Sequence, residues 1–376
     1  MKITVAMDSF KGSLSAPQAC AAVQRGLSSA LACDFTLVPM ADGGEGTVEC
    51  LAAACGASVL WETVPDLFGR PKSCAYALIN GDTAVVETAM AAGIADLKRE
   101  ERDVLRASTY GVGQQIRNAL ERGSRKIIVG LGGSATTDGG MGALQALGVD
   151  FYDQKGNKIP VGAGGGLLSS VAFADRKGMV SVEQTEIFYA CDVTNPLYGE
   201  NGAAYVYGPQ KGADAETVKL LDEGLRSFSR VLAHCFGRDI ALVPGAGAAG
   251  GLCGGLLAAL GGTVRSGFSI LSDAANLEQK ISSSQWVITG EGKTDGQTVF
   301  GKLPCRVGEM AKGHGVPVLV LSGSVMESAA DLYEHGITAL FDTVPFPMSL
   351  DSAMENAEKS LEFTAKNIGR MIQKII

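Results

Sequence analysis

Residues 125–142 read RKIIVGLGGSATTDGGMG and join a short apolar run to a glycine-rich segment. The run Lys126–Leu131 is rich in β-branched residues, which predicts a buried β-strand. Six glycines fall from Gly130 to Gly142, and apolar residues recur at helical spacing at Met141, Leu144 and Leu147. The stretch therefore predicts a strand, a glycine-rich turn and a helix, the connection from which open α/β sheets are built.

A turn of this kind lies at the carboxyl end of its strand, where α/β sheets usually bind ligands. Glycines let backbone amides approach an anion closely, and the positive end of the following helix favours negative charge. The hydroxyls of Ser134, Thr136 and Thr137 add donors, and Asp138 offers the oxygen ligands that a metal ion takes. The segment predicts a phosphate site, although a tight strand-to-helix connection with a capped helix has the same pattern.

Length, composition and charge limit the classes of protein to which this chain can belong. A chain of 376 residues exceeds the usual size of one hydrophobic core, so two domains are expected. The net charge of −8 and the lack of a Lys/Arg block argue against a nucleic-acid partner. The N-terminus turns polar too early for a signal peptide, and the weakly polar stretch Ala241–Thr263 contains eight glycines, which does not suit a membrane span. We therefore expect neither a signal peptide nor a membrane partner.

Cysteines and histidines give no sign of a metal centre. The nine cysteines are never spaced as CxxC, which indicates reduced, mostly structural thiols. The three histidines stand singly along the chain, so the sequence predicts no zinc site.

The two ends of the chain share an alternation of strands and helices, whereas the middle differs. Three short β-rich runs after Ser58, one of them ending in the hairpin signal Asn80-Gly81, predict an antiparallel meander. We predict an α/β fold: a Rossmann-like (flavodoxin-like) parallel-sheet domain from residues 1–75 and 288–376, and an inserted α/β domain from residues 76–287. The active site is expected in the cleft between these domains, since ligands commonly bind there.

Three local predictions concern segments away from the glycine-rich turn. The spacing of apolar residues predicts helices over Lys98–Ala107 and Ala353–Ile375. Residues Val149–Ile159 are predicted to form a hairpin that turns near Gly156.

Acidic residues recur at predicted strand ends or in glycine-rich loops, and lysines accompany them. The acids are Asp8, Asp42, Glu45, Asp138, Asp192, Glu291 and Asp295, and the lysines are Lys11, Lys211, Lys293 and Lys302. Phosphoryl transfer needs carboxylates for Mg²⁺, amides and lysines for phosphates, and a group that accepts the hydroxyl proton. Any one of these residues can instead be a cap or a solvated turn charge, but their joint placement favours chemistry.

Two segments partly match known phosphate-binding motifs. GEGKT at Gly290–Thr294 resembles the end of a P-loop, but Val287 stands where the full motif requires glycine. GAGAAG at Gly245–Gly250 satisfies G-x-G-x-x-G, but its strand is weak and the first acidic residue after it is Asp273. A nicotinamide site is therefore disfavoured, and close helix packing or an anion at the helix end is the better interpretation.

Seven segments together resemble the bacterial glycerate kinases of the type I family: MDSFKGSLSA, PMADGGEGT, GLGGSATTDGG, CDVTNPLYG, YGPQKGA, PGAGAAGG and TGEGKTDGQT. They run in order from Met7 to about Pro304, with AMDSF where APDSF is common. The resemblance implies ATP-dependent phosphorylation of D-glycerate with Mg²⁺ in a two-domain α/β protein, and it suggests a cytoplasmic location. Many members yield 2-phosphoglycerate, but the sequence leaves the position of attack open.

The residues and the resemblance together give a set of candidate roles, with D-glycerate and ATP as partners. We assign catalysis to Lys11, Asp42 and Asp192, and substrate binding to Asp8, Ser9, Lys11, Asn195 and Lys211. Nucleotide binding is assigned to Gly132, Gly133, Ser134, Thr136, Thr137, Glu291, Lys293 and Lys302, and metal binding to Asp138 and Asp295. Asp192 is placed at the substrate hydroxyl and Asp295 at the metal, with the reverse left open. A homodimer is also left open.

Two rival functions come from other classes of protein. One is an NAD-dependent oxidoreductase of a small hydroxy acid, which rests on the GAGAAG segment. The other is a non-catalytic protein that binds a sugar acid, for which the many carboxylates and lysines would be unnecessary.

Overall fold

The computed structural model describes residues 1–375. In this range the chain forms fifteen strands: β1 Lys2–Met7, β2 Asp34–Leu37, β3 Ser58–Pro65, β4 Pro71–Ile79, β5 Thr83–Glu87, β6 Lys126–Gly130, β7 Asp150–Tyr152, β8 Phe173–Asp175, β9 Glu186–Ala190, β10 Thr263–Arg265, β11 Trp286–Gly290, β12 Lys293–Thr294, β13 Val318–Ser322, β14 Ser324–Val325 and β15 Ile337–Asp342.

The same range contains thirteen α-helices: α1 Ala16–Ser28, α2 Thr47–Cys55, α3 Thr88–Ala92, α4 Tyr110–Glu121, α5 Met141–Ala146, α6 Ala203–Tyr207, α7 Ala215–Phe236, α8 Leu252–Leu260, α9 Gly267–Ala274, α10 Leu277–Ser282, α11 Leu303–Gly313, α12 Leu350–Glu355 and α13 Ala357–Ile375. Short 3₁₀ segments connect some of them, among them Ala248–Gly251, Thr298–Phe300 and Glu327–His335. The protein is thus an α/β protein in which parallel strand pairs predominate.

The chain divides into two compact units. The first combines residues 1–41, 49–57 and 268–376, and the second combines residues 42–48 and 58–267. Each unit has its own sheet and its own buried apolar core.

The first unit is built on a five-stranded sheet in the order β15-β13-β11-β1-β2, and all four strand pairs are parallel. Strand β1 lies between β11 and β2 and contributes the fully buried side chains Ile3, Val5 and Met7. Because parallel strands share one carboxyl edge, the loops that follow β1, β11 and β13 emerge together at that edge.

Helices α1 and α13 pack on this sheet, and local sequence explains how α1 begins. The Ser15 side chain accepts from the Gln18 amide, while the Gln18 side chain accepts from the Ser15 amide at 2.9 Å, which is a capping box. Gly26 faces α13 so closely that a Cβ there would lie 2.2 Å from the Glu362 carbonyl oxygen. The missing side chain therefore sets the distance between the two helices.

The second unit is built on a six-stranded sheet in the order β10-β9-β6-β5-β4-β3. Strands β5, β6, β9 and β10 run parallel, and β3, β4 and β5 form the antiparallel meander that the sequence predicts. Its turn residues Asn80 and Gly81 have φ of 52° and 80°, the left-handed pair that a tight hairpin needs. The amphipathic helix α7 contributes buried side chains from Leu221 to Leu232 to the core of this unit.

The structure shifts both predicted domain boundaries. Residues 58–75 lie in the second unit rather than the first, because all of β3 pairs with β4 from Ser58↔Leu78 to Pro65↔Pro71. Residues 268–287 lie in the first unit, where the Thr4 hydroxyl lies 2.9 Å from that of Ser284 and donates to the Lys280 carbonyl. The finer Rossmann-like designation stays a prediction.

Two local predictions need correction. Residues 98–107 contain only a 3₁₀ turn at Arg99–Glu101, because the Glu101 carboxylate accepts from the Lys98 amide and Asp103 accepts from the Arg106 amide. Such side-chain bonds to the backbone compete with a helix.

The predicted hairpin is present, whereas the predicted last helix needs correction. An antiparallel bridge joins Tyr152 to Lys158, the Asp153 amide donates to the Asn157 carbonyl at 2.9 Å, and Gly156 in the turn has φ of 83°. Strand β7 also pairs with β8 in an antiparallel ladder. The last helix is divided into α12 and α13 at Asn356, whose side-chain amide donates to the Ser352 carbonyl.

Candidate functional site

The first unit collects carboxylates and lysines at the carboxyl edge of its parallel sheet. Asp8 follows β1 and its amide donates to the Gly290 carbonyl, while its Oδ1 accepts from the Ser9 amide at 2.6 Å. The loop after β11 runs alongside, since a Cβ on Gly292 would lie 3.6 Å from the Lys11 nitrogen. Asp8, Ser9 and Lys11 thus adjoin residues 291–302, which we call the acidic loop. The Lys11 side chain is exposed.

Glu291 is the inner carboxylate of the acidic loop. It is 8% exposed, and its Oε1 accepts from the Thr298 hydroxyl at 2.8 Å and from the Thr294 hydroxyl at 3.2 Å. Burial raises the pKa of Glu291, and these hydroxyls together with Lys302 oppose that change. Lys302 Nζ lies 3.8 Å from Glu291 Oε2.

Asp295 is the outer carboxylate of the acidic loop. Its Oδ2 lies 3.2 Å from Lys293 Nζ, and its Oδ1 lies 3.7 Å from Lys302 Nζ. The Gln297 amide and then Lys293 lower the pKa of Asp295, so this carboxylate is ionised at neutral pH. Two lysines and two carboxylates with opposite pKa changes therefore share one loop.

The second unit contains a cavity of about 410 Å³. Its lining includes Asp42, the tip of the glycine-rich turn at Gly132–Ser134, Asp192, Tyr207 and Lys211. A volume of this size lies within the range of small-molecule sites. Six of the residues that the sequence assigns to catalysis or binding therefore surround one space.

The glycine-rich turn, residues 131–140, is here called the glycine loop, and it places Asp138 in the core. Asp138 is 0% exposed and accepts from the Thr109 amide and hydroxyl at 2.8 Å each, from Gly140 N at 3.0 Å and from Gly142 N at 3.2 Å. Burial raises the pKa of Asp138, and these four bonds oppose the change. With its two oxygens shared among four donors, Asp138 is better suited to a structural role than to the predicted metal role.

The same contacts revise the predicted phosphate site at the helix end. The amides of Gly140 and Gly142 open α5 and point at Asp138, so they hold a carboxylate of the chain itself. Thr136 and Thr137 are also fully buried. Only Gly132, Gly133 and Ser134 of this predicted set line the cavity.

The buried hydroxyls support the shape of the glycine loop. Ser134 Oγ lies 2.9 Å from Thr136 Oγ1 and also accepts from the Thr136 amide. Thr137 Oγ1 donates to the Thr136 carbonyl. Opposite the loop, Ala249 lines the cavity with φ of 52°, a left-handed conformation that is uncommon without glycine and often marks a functional site.

Lys211 is the basic group of the cavity. It is 3% exposed, and its Nζ donates to the Thr136 carbonyl at 2.6 Å. Burial lowers the pKa of Lys211 to about 7, while the charge of Asp138 acts in the opposite direction. An anion that enters the cavity would favour the protonated amine further.

Asp192 and Asn195 belong to the loop after β9. Asp192 is exposed, and its Oδ1 accepts from the Gly267 amide at 3.2 Å. Asn195 is held in place, since its amide donates to the Asn201 carbonyl at 2.8 Å and its Oδ1 accepts from the Tyr207 hydroxyl at 2.7 Å. Asp42 is exposed and accepts from the Gly44 amide at 3.0 Å.

Sequence reasoning missed Glu87, a carboxylate at the end of β5. It is 2% exposed and accepts from Gly46 N and Val48 N at 3.1 Å each. Burial raises the pKa of Glu87 to about 7. Its place at a strand end is the signal that singled out Asp8 and Asp192, so the same rule applied to β5 would have found it.

The structure thus gathers the candidate residues into two sets, one in each unit. Asp8, Ser9, Lys11, Glu291, Lys293, Asp295 and Lys302 lie in the first unit, and the remaining candidates lie in the second. That both sets serve one substrate stays a prediction. Among residues 1–375, no helix has both the length and the apolar character needed to cross a membrane.

Lysines beside carboxylates at the edge of a parallel sheet, and a cavity at a glycine loop with a buried lysine, are typical of enzymes that handle small anionic substrates. The glycerate kinase family model matches residues 3–373. The chain is 43% identical over 370 residues to a glycerate kinase of Halalkalibacterium halodurans, with 97% of each chain covered. It is 40% identical to a glycerate 2-kinase of Escherichia coli, over 98% of this chain and 97% of the relative.

A solved structure agrees with these relatives. The crystal structure of a protein from Salmonella typhimurium LT2, described as a glycerate kinase 2, superposes with a TM-score of 0.88 at 37% identity, over 100% of this chain and 98% of that one. The chain belongs to the glycerate kinase family and is an enzyme, a glycerate kinase. The match is to the family as a whole, so the type I designation stays a prediction.

Proposed function

We propose that the enzyme transfers the γ-phosphoryl group of ATP to D-glycerate in a Mg²⁺-dependent reaction and that 2-phosphoglycerate is the product. The observation that carries the proposal is the cavity of about 410 Å³, where Asp192 and Lys211 line the same space as the tip of the glycine loop. The name of the Escherichia coli relative favours the 2-position, and 3-phosphoglycerate is the alternative product.

Lys211 suits the anionic part of the substrate. Its amine is buried and already donates to the Thr136 carbonyl, so its position is fixed before a ligand arrives. Binding of a carboxylate or phosphate compensates the burial that lowers the pKa of Lys211. Lys11 is a second cation for this purpose, and its exposure leaves it free to meet a ligand from solvent.

Asp192 is assigned to the hydroxyl of the substrate. The hydroxyl gives its proton to Asp192, and its oxygen forms a bond to the γ-phosphorus of ATP. The bond from that phosphorus to the bridging oxygen breaks, and ADP leaves. The Gly267 amide orients the Asp192 carboxylate, which supports this role. Asp42 lines the same cavity and is retained as a second catalytic carboxylate.

The residues fit a magnesium ion in the acidic loop better than in the glycine loop. Mg²⁺ prefers carboxylate oxygens and keeps several of its waters, so it needs an ionised carboxylate that solvent reaches. Asp295 meets that requirement, because its pKa is lowered and its side chain is 18% exposed. Asp138 does not. Bound Mg²⁺ would offset the negative charge of the transferred phosphoryl group.

Lys293, Lys302 and the glycine-loop tip at Gly132–Ser134 are assigned to the phosphates of ATP. Lys302 lies within 4 Å of both Glu291 and Asp295, so it is held where a phosphate and its metal would meet. Thr136 and Thr137 act through the shape of the loop in this proposal, since both are fully buried. A cytoplasmic location and a homodimer stay predictions.

The first test is ADP release with D-glycerate, L-glycerate and a panel of sugars, with and without Mg²⁺. Phosphorus NMR of the product distinguishes 2-phosphoglycerate from 3-phosphoglycerate. Asp192→Asn is expected to lower kcat by roughly 10²–10⁴ with nucleotide affinity retained, while the exposed Asp331→Asn serves as a control. An unchanged kcat in Asp192→Asn would remove this residue from the mechanism, and ADP release that is independent of D-glycerate would overturn the substrate.

The nicotinamide alternative lacks the local structure that it requires. The GAGAAG segment leads into a 3₁₀ turn at Ala248–Gly251, and no strand lies between α7 and that turn. Dinucleotide binding needs a strand directly before the glycine turn. The non-catalytic alternative is excluded by the family, because its members are enzymes.

A further inference from the structure

Helix α11 carries a thiol and a carboxylate that face a histidine from another segment. Cys305 and Glu309 are four residues apart, so they lie on one face of α11. His335 ends the 3₁₀ segment Glu327–His335. One ligand atom from each of the three residues lies within 4.8 Å of the others. All three belong to the first unit.

The backbone holds His335 against α11. Gly308 has no side chain, and a Cβ there would lie 2.6 Å from the His335 carbonyl oxygen. The next residue, Gly336, has φ of 89° and turns the chain into β15. Both glycines therefore make the close approach of His335 to the helix a property of the fold rather than of flexible side chains.

We propose that Cys305, Glu309 and His335 form a binding site for a divalent transition-metal ion of the Zn²⁺ class. The ligands are the Cys305 thiolate, a Glu309 carboxylate oxygen and His335 Nδ1, and a water molecule completes the coordination. This site is distinct from the predicted magnesium ligand Asp295 and does not rest on the proposed reaction.

The donor set suits zinc rather than magnesium. A thiolate and an imidazole select Zn²⁺ and related ions, whereas Mg²⁺ prefers oxygen. In a tetrahedral zinc site neighbouring ligand atoms lie about 3.3–3.8 Å apart, as follows from zinc–ligand bonds of about 2.0–2.3 Å. His335 Nδ1 and Glu309 Oε1 already lie 3.0 Å apart, so small movements of the three side chains reach that geometry.

The charges also balance. A divalent ion beside one thiolate and one carboxylate gives a neutral cluster, which suits the 1% exposed Cys305. On binding, the thiol loses its proton to solvent and the ring proton of His335 moves from Nδ1 to Nε2, so one proton is released per metal ion. Metal affinity should therefore rise with pH.

The chain also contains a matched pair that lacks the thiol. His314 Nε2 lies 3.1 Å from Glu278 Oε1, much as His335 lies 3.0 Å from Glu309. Within residues 1–375, Cys305, Glu309 and His335 form a group of three such ligands, whereas His314 and Glu278 belong to no such group. A His–Glu ion pair alone is thus an ordinary surface feature, and the buried thiol is what distinguishes the proposed site.

The test is titration of the full-length, reduced enzyme with Co²⁺, which gives a thiolate charge-transfer band when sulfur binds it, followed by displacement with Zn²⁺. We expect one equivalent per chain in the parent and no band in Cys305→Ser. His335→Gln should weaken binding at least tenfold, since even loss of an outer partner costs about 10–100-fold. His314→Gln should bind like the parent.

Two results would overturn the site: no charge-transfer band in the parent, or equal affinity in the parent and His335→Gln. Because Cys305 is buried, Cys305→Ser can lose stability for other reasons. His335 is about one-third exposed, so His335→Gln is the variant that decides, with its melting temperature measured without metal as the check on folding. Zn²⁺ should raise the melting temperature of the parent and of His314→Gln but not of His335→Gln.

Discussion

The glycine loop of the second unit and the acidic loop of the first unit have the same sequence pattern but use their carboxylates differently. Each follows a parallel strand, contains several glycines and hydroxyls, and leads to a helix. In the glycine loop the acid, Asp138, is fully buried and bonded to four donors. In the acidic loop Glu291 is held by hydroxyls inside, and Asp295 stays outside between two lysines.

The difference shows that an acid at a strand end has two distinct uses. An inner carboxylate accepts from the amides and hydroxyls of its own loop and fixes the backbone. An outer carboxylate keeps a lowered pKa and stays within reach of a ligand. The acidic loop has both kinds, whereas the glycine loop has only the inner kind and takes its ligand-facing charge from Lys211.

The largest expected effect is on stability, in Asp138→Ala. The substitution leaves the Thr109 amide and hydroxyl and the amides of Gly140 and Gly142 without an acceptor in the core. We expect a loss of about 3–5 kcal/mol in the free energy of unfolding, measured by urea denaturation. Asp295→Ala is the matched control. It removes one amide acceptor and two partly exposed ion pairs, so its loss should be much smaller than that of Asp138→Ala. Equal loss in both variants would contradict the distinction between inner and outer carboxylates.

The next effect concerns Lys211 and the dependence of stability on pH. Its pKa is about 7 in the folded protein, against about 10.4 in an unfolded chain. Between these values the unfolded state binds more protons, so this residue makes stability rise with pH, by up to about 1.4 kcal/mol per unit. Below pH 7 the unfavourable contribution is fully present.

Lys211→Met should remove that slope. Urea denaturation at pH 7.5 and 9 is expected to show about 2 kcal/mol less gain in the variant than in the parent. Lys219→Met, at an exposed position of α7, should keep the slope of the parent. If the parent and Lys211→Met change equally with pH, the amine is not held neutral by burial.

Much of the fold follows from local sequence. The strand predicted over Lys126–Leu131 is present as β6 at Lys126–Gly130, because a run of β-branched residues leaves little choice. The boundary at residue 75 was wrong, because it cut the β3–β4 ladder, and strand pairing is a non-local contact. The predicted helix at 98–107 does not form, because the side chains of Glu101 and Asp103 accept hydrogen bonds from nearby backbone amides. The spacing of apolar residues does not reveal such bonds.

The sequence predicted which residues form the candidate site but not how deeply each side chain is buried. The sequence located the acids and lysines at strand ends, and the structure places Asp42, Asp192 and Lys211 at one cavity. It did not separate Asp138 from Asp295, because burial depends on residues such as Thr109 that lie far away in sequence. Likewise, no spacing rule connects His335 to Cys305.

The third effect is on metal dependence, and it rests on the proposed role of Asp295. Asp295→Asn removes an ionised oxygen ligand, so the Mg²⁺ concentration for half-maximal rate should rise about 10–100-fold. Added metal should partly restore kcat. The measurement is the rate of ADP release against Mg²⁺ concentration, with Asp192→Asn titrated alongside. Identical metal dependence in the two variants and the parent would show that Asp295 does not bind the metal.

The smallest effect is expected at Thr298, whose hydroxyl connects the Glu291 carboxylate to the backbone of Asp295. It donates to Glu291 Oε1 at 2.8 Å and accepts from the Asp295 amide at 3.1 Å. Thr298→Val keeps the shape but loses both bonds, which should cost about 1–2 kcal/mol of unfolding free energy. Since this hydroxyl opposes the effect of burial, its loss should raise the pKa of Glu291 further. The acid limb of the pH–rate profile should then move to higher pH.

Thr298→Ser keeps the hydroxyl and should resemble the parent in both measurements. If Thr298→Val also resembles the parent, Glu291 does not depend on the hydroxyls of its own loop, and its likeness to Asp138 as an inner carboxylate is lost.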